Sequence, residues 1–151
     1  MIPLKDDNPT SSRPIITYCI IGICIFVFIL ELSSPGYKTG TLFYSYGVIP
    51  AVLTGKVLLP QEAYAVPASF TLITSMFMHG GFMHLIGNML YMWIFADNIE
   101  DELGPTKFLI FYILSGIAAA LTQVYMNTDS FIPMVGALSL IHISEPTRPL
   151  Y

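Results

Sequence analysis

Residues 79–97 read His79-Gly-Gly-Phe-Met-His84-Leu-Ile-Gly-Asn88-Met-Leu-Tyr-Met-Trp-Ile-Phe-Ala-Asp97. Beyond the glycine pair the run is apolar up to Asp97, except at His84 and Asn88. It approaches the roughly 20 residues needed to cross a hydrocarbon core of about 30 Å. His84 and Asn88 are four apart, so a helix sets them on one face. A polar side chain inside such a span costs free energy unless it meets a partner or a wet cavity, and a functional role is the default reading. Both side chains donate hydrogen bonds, and a His/Asn pair aimed at one point suits negative charge developing on a carbonyl oxygen. His79 precedes the glycine break, at the interface, where it can brace the adjoining loop. Two plainer readings stand beside this one. The pair can simply bond a neighbouring helix, or it can serve a metal. The metal reading is the weaker, because His79 and His84 are five apart across the glycines and no carboxylate or thiolate stands at ligand spacing.

Two more apolar runs, one on either side, predict spans. Pro14 to Leu30 (PIITYCIIGICIFVFIL) carries no charge, with Glu31 at its far edge and Ser33-Ser34-Pro35-Gly36 as a stop signal. A cleaved signal peptide is disfavoured by the length of this run, by Asp6 and Asp7 before it, and by the lack of a small-residue cleavage site after it. Phe108 to Met126 (FLIFYILSGIAAALTQVYM) holds the small residues Ser115, Gly116, Ala119 and Ala120, which let helix backbones approach closely in lipid. The resulting division is a cytoplasmic N-terminal segment 1–13, spans at about 14–32, 82–97 and 107–127, and a long first loop 35–81. That loop is too apolar to be fully solvated and predicts short amphipathic pieces lying in the membrane interface. Asp97 to Pro105 reads as a short acidic turn, with Glu100 and Asp101 solvated. Arg13, abutting the first span, places the N-terminus in the cytoplasm.

Composition agrees with lipid as the solvent. The 151 residues are 54% hydrophobic and 11% charged, with mean hydropathy +0.68, whereas soluble domains carry about 25% charged residues. The net charge of −4 and the lack of a basic patch argue against nucleic acid. Cys19 and Cys24 both fall within the first span and read as packing residues.

The block from Leu72 to Gln123 resembles the rhomboid family. Thr74-Ser75-Met-Phe77-Met-His79 matches its lead-in and His84-Leu-Ile-Gly-Asn88-Met89 its second helix. Asp97-Asn98-Ile99-Glu100-Asp101 with Leu103-Gly104, and then Lys107-Phe108-Leu109, match the family's passage into its third helix. Tyr46-Gly47-Val48-Ile49-Pro50 looks like the family's first loop, and the likeness runs from Arg13 to Ala137. The resemblance implies an all-α integral membrane protein with a bundle of six transmembrane helices, three of them present here. It implies a serine endopeptidase that cleaves transmembrane protein substrates in the bilayer and needs no cofactor or metal. The nucleophile is the Ser of a Gly-x-Ser-Gly motif on the fourth helix, and the base is a His on the sixth. By position, His84 and Asn88 match the oxyanion-hole pair and His79 a supporting histidine. A multi-pass protein of the bacterial cytoplasmic membrane is the expected setting.

The pattern breaks where the nucleophile belongs. Phe131-Ile-Pro-Met-Val-Gly136-Ala137 resembles the approach to it, but Leu138-Ser139 stands where Ser-Gly is expected. Recruiting Ser139 by a one-residue shift fails, because Leu140 then replaces the glycine. Residues 138–151 resemble a translated sequencing adapter and are read as an artefactual tail. Ser139 and His142 within it make no dyad. Nucleophile and base are therefore expected to be missing from this chain, which predicts an inactive fragment. The alternative is a catalytically dead, rhomboid-like protein that binds transmembrane segments without cutting them. A transporter or channel subunit would call for more intramembrane charge.

Overall fold

The computed structural model describes residues 13–60, 63 and 65–136, so the readings that concern residues 1–12 and the tail from Ala137 onward lie outside the described residues. The framework is three long helices, α1 (Ile15–Ser33), α6 (Phe82–Leu103) and α7 (Pro105–Met126). Between α1 and α6 the first loop folds into α2 (Pro35–Thr39), α3 (Thr41–Tyr46), α4 (Pro50–Leu53) and α5 (Thr71–Thr74), with 3₁₀ turns at Ala68–Phe70 and Ser75–Phe77. These are the short pieces its apolar composition predicts.

α1 and α7 are each long and apolar enough to cross a membrane. α6 has the length, at 22 residues, but carries the polar His84, Asn88 and an acidic end. The inward stripe of α1 is Thr17, Ile20, Cys24, Phe28 and Glu31, a helical spacing of three and four. It packs against Leu85, Met92 and Ala96 of α6 and Phe108 of α7. Phe28 meets Phe82 edge-on, with ring centroids 5.0 Å apart, and Tyr18 lies 5.7 Å from Trp93, so α1 and α6 run antiparallel. Cys24 is buried, as a packing residue should be, whereas Cys19 is exposed. Large apolar side chains such as Phe26, Trp93 and Leu114 also point outward, an arrangement suited to lipid and costly in water.

The acidic stretch after Asp97 departs from expectation. α6 continues through it to Leu103, and the link to α7 is Gly104 alone, at φ +78. Glu100 is not solvated but buried, 1% exposed. Its carboxylate accepts the N–H groups of Ile16 (2.9 Å) and Thr17 (2.8 Å) and the Thr17 hydroxyl (2.8 Å). A helix starts with N–H groups that have no partner within it and with partial positive charge, and a carboxylate answers both. Glu100 thus caps α1 from another helix.

Candidate active site

The site is built where the first loop, the start of α6 and the segment after α7 converge. Three backbone ties bring the last of these in. Val48 and Met134 exchange N–H···O bonds of 3.0 and 2.8 Å, Ala51 N–H donates to the Ser130 carbonyl at 3.1 Å, and Gly136 N–H donates to the carbonyl of the buried Ser75 at 2.7 Å. Gly47 makes the first tie possible, since a Cβ there would stand 2.5 Å from the Phe43 carbonyl oxygen and 3.1 Å from that of Met134. On the outer surface Lys56 pairs with Asp129 and donates to Thr128 Oγ1 at 2.9 Å. Such an exposed pair is worth little by itself.

These ties deliver Gly136 onto the two polar residues of α6. A Cβ built on Gly136 would stand 2.7 Å from Nε2 and Cε1 of His84 and 3.4 Å from Nδ2 of Asn88. Both nitrogens therefore face one point, kept clear because residue 136 has no side chain. Its φ of +99 also favours glycine. Asn88 is buried, and its Nδ2 has no hydrogen-bond partner among the described residues. His84 is half-buried.

His79 is fully buried. Its Nδ1 lies 3.2 Å from the Phe77 carbonyl oxygen, which can only accept, so the proton sits on Nδ1. Its ring stands edge-on to His84, centroids 5.4 Å apart. Burial pushes the His79 pKa down to about 4, and the neighbouring His84 adds to the effect while the Phe77 carbonyl opposes it. His79 is thus neutral at ordinary pH. Among the described residues no group of three or more His, Cys, Asp or Glu side chains gathers as metal ligands would.

The three residues singled out in the sequence therefore come together, and Gly136 joins them. Comparison with known proteins matches residues 67–142, half of the chain, to the Rhomboid domain. The chain belongs to the rhomboid family. Among rhomboid relatives, Rhomboid protease GluP of Bacillus subtilis (strain 168) is 27% identical over 147 residues, covering 93% of this chain and 27% of GluP. Rhomboid protein 1, mitochondrial, of Saccharomyces cerevisiae is 33% identical over 81 residues, covering 54% of this chain and 23% of its own length. Inactive rhomboid protein 1 of Drosophila melanogaster is 35% identical over 54 residues, 36% of this chain and 4% of that protein. The chain thus spans about a quarter of the length of the first two relatives and far less of the third. No solved structure matches it. As a rhomboid with apolar spans, it is an integral membrane protein with an all-α fold.

Proposed function

We propose that residues 13–136 form the oxyanion-binding half of a rhomboid intramembrane serine endopeptidase, acting on transmembrane proteins in the bacterial cytoplasmic membrane. The observation that carries this is the convergence of His84 Nε2 and Asn88 Nδ2 on the point beside Gly136. When a serine attacks a peptide carbonyl, charge collects on the oxygen, and two donors already aimed at that place need no reorganisation to stabilise it. A nucleophile two residues beyond Gly136 stands within about 7 Å of it along the chain. His79 holds the loop behind His84.

In this sequence the residue at that position is Leu138, so the 151-residue chain itself does not cleave. The second reading is a rhomboid that binds transmembrane segments without cutting them, as one relative's name includes the word inactive. A hybrid separates the two. Residues 13–136 replace their counterpart in GluP, whose own remaining sequence is joined after them, and a fluorogenic transmembrane reporter is supplied in proteoliposomes. The hybrid should cleave, and His84→Ala or Asn88→Ala should each lower kcat by about 10²–10³-fold. A folded hybrid that never cleaves supports the binding protein instead. Cleavage by the 151-residue chain would overturn its inactivity.

A further inference from the structure

Thr74 stands outside the oxyanion site, yet its hydroxyl makes a bond of long reach. Hydroxyls on helices mostly return to a carbonyl of the preceding turn, as those of Ser45, Thr71, Ser115 and Thr122 do here. Thr74, the last residue of α5, instead donates to the Tyr46 carbonyl, 28 residues away, at 2.7 Å in a part-buried setting. Tyr46 is the last residue of α3, and the closing carbonyls of a helix find no donor within it. The Thr74 hydroxyl supplies one.

The chain leaves Tyr46 through the extended Gly47 and pairs at Val48 with Met134. Two residues after Met134 comes Gly136, whose N–H returns to the carbonyl of Ser75, the neighbour of Thr74. Three ties thus close a ring: Thr74 to Tyr46, Val48 to Met134, and Gly136 to Ser75. The covalent stretches between them, 46–48, 134–136 and 74–75, are short and reach at most about 7 Å each. A ring with so little slack passes a shift at Tyr46 to Met134 and on to Gly136. The other two ties are backbone bonds, so Thr74 is the side chain that closes it. We propose that Thr74 is a positioning residue for the oxyanion site: its hydroxyl holds the end of α3 and, through the Val48–Met134 pair, sets where Gly136 lies against His84 and Asn88. Its bearing on catalysis rests on the proposed function, but the coupling itself is measured without turnover.

The test uses the full chain in lipid nanodiscs, with NMR of the backbone amides and of ¹⁵N-labelled histidine rings. Thr74→Val keeps the shape and removes the hydroxyl. It should speed exchange of the Val48 and Gly136 amides about tenfold and move the His84 ring signals. Thr74→Ser restores the donor and should behave as the native chain. Thr71→Val strips the same short helix of a hydroxyl that bonds only locally, to Ala68, and should leave Val48, Gly136 and His84 unchanged. The amide of Thr17, held by Glu100, reports whether the bundle still packs and should not change in any variant. Native exchange at Val48 and Gly136 in Thr74→Val, lost protection in Thr74→Ser, or an equal loss in Thr71→Val would each overturn the proposal. So would loss of the Thr17 amide in Thr74→Val, which would make Thr74 a prop of the whole fold. In the GluP hybrid Thr74→Val should lower kcat about tenfold with KM little changed, and Thr74→Ser should restore it. A kcat indifferent to Thr74→Val would overturn the positioning role. If the amides respond as expected and the unsubstituted hybrid never cleaves, the proposed function fails and the coupling stands.

Discussion

At the scale of single residues, the site depends on what Gly136 lacks. Gly136→Ala places a methyl group where the His84 ring and the Asn88 amide converge, and it forces a left-handed backbone on alanine. Gly104 shares the positive φ but has open space around it, so Gly104→Ala should cost only backbone strain, about 1–2 kcal/mol. Gly136→Ala should cost more and should also shift the His84 ring resonances, which Gly104→Ala leaves alone. His79 makes a separate prediction through its proton. Folded, it titrates near 4, and unfolded near 6.5, so between those values the unfolded chain binds a proton the folded chain refuses. Stability should be full above pH 6.5 and fall as the pH drops toward 4, by of order 3 kcal/mol. His79→Leu should flatten that slope in a series of thermal midpoints taken from pH 4 to 8. A slope that survives the substitution would assign it to other groups.

At the scale of elements, the helices were legible in the sequence and their joints were not. The runs forming α1 and α7 declare themselves by length and lack of charge, and His84 and Asn88 by being polar one turn apart within such a run. Glu100 carried no such signal. The N–H groups it accepts, on Ile16 and Thr17, lie 84 and 83 residues away, and an acid near a helix end in an acidic stretch looks like any solvated charge. The closeness of Gly136 to His84 was hidden for the same reason, since it depends on the Val48–Met134 pairing across more than half the chain. The cap predicts its own consequence. Glu100→Gln keeps one acceptor but turns an NH₂ toward an N–H, and should cost about 1–3 kcal/mol. Glu100→Ala leaves all three donors unanswered and should cost more. Reversible unfolding in bicelles measures both, and two near-neutral variants would show that water caps α1 equally well.

At the scale of the whole molecule, the cap fixes which ends lie together. Binding of Ile16 and Thr17 by Glu100 puts Arg13 and the Gly104 joint, with Lys107 beside it, at one end of the bundle. The tie of Lys56 to Thr128 and Asp129 puts the first loop and the segment after α7 together, and with α6 antiparallel to α1 and joined to α7 through Gly104, that end is the opposite one. Positive charge close to span ends is retained in the cytoplasm, whereas charge in a long loop counts for less. Arg13 and Lys107 should therefore face inward and Lys56 outward. In that orientation α6 would begin at the outer end, with His84 in its first turn and Asn88 about 9 Å below the start, where water from outside should reach them. With Cys19 replaced by Ala, a membrane-impermeant maleimide added to intact cells should label Lys56→Cys and spare Lys107→Cys until the membrane is opened. The reverse pattern would turn the bundle over, and with it the side from which a substrate reaches His84 and Asn88.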